Sequence, residues 1–455
     1  LAGGHNAPVT YALWMVLGEA LFRMPESTGL EKYFADPKTS LLSVDCLGFR
    51  RGKDGLSSIL KDNGLENHPL LAQAKIRGIR ALAGHSESTD LTNDVNGGPS
   101  GIGIATAAGK AAFWELVGAG GSPKIIAVEG EFAMTSGHSQ EMKTQAVAQQ
   151  VGKRLRILLS YNNAGIDAEL VGGVIQPQFT SYKIEDQWSS YGWNVFKLEN
   201  ANEMDQVVGV LKTMEDWDES DRRPMIVVGN TTKGWWPGAV NGKIPGYGEQ
   251  IISYQSHPYT FAMNSEYFVA LAKTFENRYG VTFQGIEDGA PSDERGRILQ
   301  YKQNIDVVMA FLEKNGLGKW IGDKLAEIGD SVTDKPKLRI NNDIDPFLDD
   351  RLKPENAPRE PVTVSVTNAI SGETKDIDIK LFEKPGVTQG SRRAISEITK
   401  WVNYVTDNRL MLLAADLADS INVEKGALWG EFDPVKNPAG NRLRSAIQEA
   451  GNVST

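Results

Sequence analysis

Residues 129–167 read EGEFAMTSGHSQEMKTQAVAQQVGKRLRILLSYNNAGID, and their patterning decides the fold. The apolar run Lys124-Ile125-Ile126-Ala127-Val128 leads into the stretch as a strand and breaks at Gly130-Glu131. A helix-like segment follows from about His138, and a second apolar run, Leu155-Arg156-Ile157-Leu158-Leu159, ends in Asn162-Asn163-Ala164-Gly165. Strand, helix and strand in so short a span form a parallel crossover unit whose two strand ends emerge side by side. In an open α/β sheet, ligands bind at that edge.

The residues at the two ends share one chemistry. Glu131 supplies a carboxylate, Asn163 an amide oxygen and Gly165 a carbonyl that no side chain obstructs. Hard oxygen donors of this kind suit Mg²⁺, which keeps one or two protein carboxylates and takes its other ligands from water and a diphosphate.

A Gly-acid pair followed some thirty residues later by Asn-Asn-x-Gly resembles the metal-diphosphate motif of thiamine diphosphate enzymes. The flanking residues resemble the transketolase family in particular. The resemblance implies an α/β thiamine diphosphate-binding fold, a mostly parallel sheet flanked by helices, with the start of a second α/β domain. It also implies thiamine diphosphate and Mg²⁺ (or Ca²⁺) as cofactors, with Glu131, Asn163 and Gly165 on the metal and Gly130 at the cofactor. Two positions depart from the family pattern: Glu131-Phe132 stands where Asp-Gly is usual, and Ser136 where Glu is usual.

The chain has 455 residues, enough for two or three domains, and its 40% apolar content with ten Trp supplies ample core. Forty-eight basic against 58 acidic side chains give a net charge of −10 without a basic run, which argues against nucleic acid and anionic membrane as partners. One cysteine, Cys46, excludes an intrachain disulfide and fits a reducing, cytoplasmic compartment. No apolar run approaches the ~20 residues needed to span a bilayer. The sequence opens at Leu1 inside a motif and closes at Thr455 soon after a new α/β pattern begins, so a fragment, or one chain of a two-piece enzyme, is expected.

Outward from the central stretch, further segments resemble transketolases in order. Gly3-Gly4-His5-Asn6-Ala7-Pro8 precedes an apolar helix and resembles the family's opening histidine motif. Gly84-His85-Ser86-Glu87 resembles a second substrate-facing histidine segment, and Ser256-His257-Pro258 a third. Asn96-Gly97-Gly98-Pro99-Ser100-Gly101 opens a small-residue helix, where backbone amides favour an anion, and resembles the loop lying against thiamine, which places Gly98, Pro99 and Ser100 at the cofactor. The family's diphosphate histidine has no counterpart near residues 41–53, where Arg50-Arg51-Gly52-Lys53 stands instead. His68 and His138 read as structural or exposed. Met225–Asn230 reads as a strand, and Trp188–Val195 as a helix end turning into one.

Residues 331–390 read as a linker, with a hairpin where Val362–Val366 and Ile377–Leu381 alternate around Ser371-Gly372-Glu373. A helix start at Ser391 and a buried strand, Leu410–Ala415, follow. By register the resemblance implies Arg393 and Ser420 on a substrate phosphate, Asp416 near thiamine, and Glu449 as the acid facing the aminopyrimidine ring. His5, His85 and His257 would then move protons on substrate hydroxyls, a role matched to an ordinary pKa near 6.5.

The implied organisation is a diphosphate-binding domain over 1–330, the linker over 331–390 and an incomplete pyrimidine domain over 391–455. The implied activity is transfer of a two-carbon ketol unit from a ketose phosphate to an aldose phosphate, by a homodimer or with a complementing chain. Tyr267–Val281 resembles instead the homodimeric pyruvate dehydrogenase E1 component, so a 2-oxo acid decarboxylase is an alternative. The missing histidine, Glu131 and Ser136 keep a non-catalytic homologue as another.

Overall fold

The computed structural model describes residues 7–23, 40–72, 74, 78–85, 87–88, 93, 95, 97–119, 123–165, 170, 180, 182–233, 235, 266–332, 338, 344–414 and 417–443. Among these, four strands form a parallel sheet: β1 (Ile125–Gly130), β2 (Leu155–Tyr161), β3 (Asn194–Leu198) and β4 (Met225–Asn230), in the order β1-β2-β4-β3. The expected crossover joins β1 to β2. The register pairs Gly130 with Ser160 and Tyr161 with Asn230, so the tips of β1, β2 and β4 end at one level.

Apolar side chains pack on both faces of the sheet, so β2 and β4 read as largely continuous apolar runs rather than alternating ones. Leu155, Ile157 and Leu159 of β2 with Ile226 and Val228 of β4 join a core with the helices α3 (Ile102–Leu116), α4 (Gly137–Ala148) and α5 (Ile184–Ser190). Met225 and Val227 turn the other way, onto Met214 and Leu211 of α6 (Met204–Glu215). The alanines of α3 are mostly buried and let it lie close to β1 and α4. Gly101 caps α3 at φ +83, and a Cβ there would stand 2.0 Å from Ser136 Oγ, so the position requires glycine.

A second body of helices lies beside this core. Helix α1 (Ala7–Arg23) packs on α9 (Leu317–Ser331), and α8 (Glu294–Lys314) on the 3-10 turn Ser43–Gly48; α2 (Lys53–Asp62) and α7 (Glu266–Tyr279) complete the described helices before the hairpin. Buried Glu19 accepts from Ser43 N at 2.8 Å, and buried Asp45 accepts from Leu42 N and Arg80 N, both at 2.9 Å. These carboxylates satisfy loop amides that would otherwise be buried without partners, and they fix the segment leading to His85. Cys46 is a free thiol whose pKa burial pushes up to about 11. No helix among the described residues is long and apolar enough to cross a membrane.

The hairpin is present as β5 (Val362–Thr367) and β6 (Thr374–Ile379). It docks on α10 (Ser391–Val405), with Lys380 N donating to Glu397 Oε2 at 2.8 Å. The buried strand expected over Leu410–Ala415 is corrected: the described residues there form a single bridge, Leu412 to Arg442, and Leu410 is 36% exposed. Side chains take the polar groups a ladder would use. Asn403 Oδ1 accepts from Leu410 N at 2.7 Å, and Asn441 Nδ2 donates to Leu410 O at 2.7 Å.

Candidate active site at the strand tips

Three parallel strand ends converge on one point. After β1 the chain enters the 3-10 turn Glu131–Thr135, which turns the Glu131 side chain inward until it is 2% exposed. Its Oε1 accepts from Ala164 N, beyond β2, at 2.9 Å. The amide of Ala164 also reaches Asn162 Oδ1 at 2.9 Å, an Asx turn that folds the Asn162-Asn163 corner back on itself. Asn163 takes φ +54, a left-handed conformation that Asn tolerates better than most residues, and its carbonyl accepts from Leu170 N at 3.2 Å.

The third tip supplies a residue that the sequence reading passed over. Thr231 N bonds Tyr161 O at 2.9 Å, extending β4 along β2, and Lys233 then places its ammonium on the carbonyl of Gly165. Burial raises the pKa of Glu131, opposed by amides at 131, 164 and 162 and by the Lys233 charge. Burial lowers that of Lys233, opposed by Glu131. Tyr161 is raised by burial and by the charges of Glu185 and Glu131. A buried carboxylate, a carbonyl and a half-buried ammonium thus meet at adjoining strand ends. The signal for Lys233 was its place just after an apolar strand, but only the β2-β4 pairing makes that strand a neighbour.

Phe132, noted above only as a departure from the family pattern, has a packing role. A Cβ on Gly165 would stand 2.7 Å from Phe132 Cζ, so the ring lies directly against the glycine. The departure from the family's small residue at 132 therefore carries its own requirement for glycine at 165.

The expected metal donors Glu131, Asn163 and Gly165 stand on these adjoining tips. Among the described residues no group of three or more His, Cys, Asp or Glu side chains forms a metal site, so a cation here relies on carbonyl, amide, water and phosphate oxygens. Glu131, Asn163 and Gly165 offer hard oxygens of the kind Mg²⁺ shares with a diphosphate, and Gly165 O accepts a hydrogen bond from Lys233. Gly98, Pro99 and Ser100 are exposed before α3. His85 is exposed, its carbonyl accepting from Tyr11 Oη at 3.4 Å, and a Cβ on neighbouring Gly84 would meet Arg50 Nε at 2.8 Å. Arg51 of the same basic group pairs with Glu294 at 3.0 Å.

At the far end, Arg393 stands 4.0 Å from Glu383, and it is Arg392 that reaches the Ser420 carbonyl, at 3.3 Å. His5, His257, Asp416 and Glu449 lie outside the described residues. His68 caps a 3-10 turn through Nδ1, a structural role.

A parallel sheet whose tips present oxygen donors is the edge at which open α/β folds bind their ligands. Residues 71–253 match the family profile described as transketolase, thiamine diphosphate binding domain. A transketolase variant from Pichia stipitis aligns with a TM-score of 0.51 at 14% identity, covering 99% of this chain and 62% of that one. Transketolases from Leishmania mexicana and Campylobacter jejuni align at 14% identity with TM-scores of 0.48, covering 97% and 99% of this chain and 61% and 62% of theirs. The chain thus spans less than two thirds of the length of these structures. No curated protein sequence matches it.

Proposed function

We propose that the chain binds thiamine diphosphate with Mg²⁺ (or Ca²⁺) at the strand tips and serves a transketolase-like transfer of a two-carbon ketol unit between sugar phosphates. The observation that carries this reading is the 2.9 Å bond from Ala164 N to Glu131 Oε1 inside the matched domain, because it joins the two halves of the motif. Glu131, Asn163 and Gly165 O would hold the metal, and Gly130 with Gly98, Pro99 and Ser100 would border the cofactor.

The bound cofactor supplies an electron sink for breaking a ketose carbon–carbon bond. His5, His85 and His257 would hold and move protons on substrate hydroxyls. Arg393 and Ser420 would hold the distal phosphate, so that remote binding orients the reacting carbons. Asp416 would lie near thiamine, and Glu449 would keep the aminopyrimidine nitrogen in its working protonation state. The division into 1–330, 331–390 and 391–455, a cytoplasmic location, and a homodimer or complementing chain completing the cofactor cleft belong to the same reading.

Isothermal titration of the assembled protein with thiamine diphosphate and Mg²⁺ tests the binding. A coupled assay with a ketose phosphate and an aldose phosphate, beside one with pyruvate and an electron acceptor, tests the reaction. No binding heat would leave a scaffold, and turnover of pyruvate alone would replace the ketol transfer with decarboxylation.

A further inference from the structure

The strand-tip site holds a cation of its own. Lys233 Nζ donates to the Gly165 carbonyl, an oxygen assigned above to the metal, while its charge acts on Glu131, the carboxylate assigned to the same metal. Glu131 is 2% exposed and Lys233 half-buried, so the carboxylate is screened little by water while the ammonium stays partly solvated. A divalent ion entering without a diphosphate would have to displace the ammonium from Gly165 O and face its charge at short range.

We propose that Lys233 is an internal counter-cation exchanged at this site: its ammonium occupies Gly165 O when no metal is present and turns to the diphosphate when metal and diphosphate arrive together. This rests on the reading above for the identity of the diphosphate, but not for the exchange itself. Lys233 lies three residues beyond the end of β4, which adjoins β2, outside the sheet's hydrogen-bonded ladder. The same ammonium then supplies a positive charge to a diphosphate for which the chain lacks the family's histidine. Metal alone binds weakly, and diphosphate raises its affinity, a coupling that must be reciprocal.

The test is Mn²⁺ binding followed by electron paramagnetic resonance, without and with inorganic pyrophosphate, on the full chain and on the variants Lys233→Met and Lys233→Gln. Lys233→Gln keeps a donor for Gly165 O but removes the charge, and circular dichroism checks that each variant is folded. Both variants are expected to bind Mn²⁺ alone tighter by roughly tenfold or more, and to lose most of the enhancement that pyrophosphate gives the parent. Unchanged or weaker Mn²⁺ binding in both folded variants overturns the exchange. Thiamine diphosphate titrated into the parent with Mg²⁺ separates the two ideas. A parent that binds it beside variants that gain no Mn²⁺ affinity keeps the function and removes the exchange. A parent that does not bind it beside variants that gain Mn²⁺ affinity does the reverse.

Discussion

Replacing Glu129 with Gln should make the sheet domain more stable at alkaline pH and leave it nearly unchanged in acid. Glu129 lies on β1, two residues after Ala127 and on the same face, and is 4% exposed. Its Oε1 accepts from Gly130 N at 2.9 Å, while Oε2 has no hydrogen-bond partner among the described residues. Burial outweighs that one amide and raises its pKa from the ordinary 4.5 to about 7. Between these values the folded chain holds a proton that the unfolded chain has released, so stability falls as pH rises through the window and levels off above it. At about 1.4 kcal/mol per unit, the loss is about 3 kcal/mol by pH 8. Glu129→Gln keeps the acceptor for Gly130 and cannot ionise. Any cost of its amide nitrogen is the same at every pH and drops out of the comparison. Urea unfolding of metal-free protein, read by the fluorescence of buried Trp188 and Trp193, should show the variant gaining about 3 kcal/mol relative to the parent between pH 4.5 and pH 8. A stability difference that stays constant over that range, or one that favours the parent as pH rises, would refute the burial argument.

Glu131→Gln should retain the fold, since Gln can accept from Ala164 N, yet abolish thiamine diphosphate binding in the presence of Mg²⁺ by calorimetry. Gly165→Ala should cost about 1–3 kcal/mol by forcing the Phe132 ring aside, and Phe132→Ala in the same chain should recover most of that loss, a non-additivity measurable in a double-mutant cycle. Lys143 is fully buried on α4, donates to Gln140 Oε1 at 3.0 Å, and burial lowers its pKa to about 8. Parent stability should therefore rise as pH climbs from about 8 toward 10.5, where the unfolded chain still binds the proton, and Lys143→Met should remove that slope in pH-dependent urea titrations.

The departures from the family pattern have different consequences in space. Ser136 caps α4, accepting from Ser139 N at 3.3 Å, and leaves room only for the glycine at 101, so its hydroxyl is an element of packing. Glu131 reaches Ala164 despite its extra methylene because the 3-10 turn begins at that residue. The alternation around Ser371-Gly372-Glu373 was legible as a hairpin because its bonds span few residues. The apolar run at Leu410 misled because Asn403, on the preceding helix, and Asn441, thirty-one residues further on, capture its backbone.

What the amino-acid order determined by itself was the crossover between β1 and β2, the strand at Met225–Asn230 and the hairpin, since apolar periodicity, glycine breaks and short connections act over a few residues. It also placed Glu131 and Asn163 at two strand ends, because a crossover of that length leaves its tips adjacent. Only the tertiary structure decided that β4 rather than β3 lies against β2, which brings Lys233 to Gly165. Only it decided that Phe132 lies on Gly165 and that Glu129 is buried with an oxygen unpaired. Strand order and burial depend on which distant segments fill each face of the sheet, and local patterning does not encode that choice.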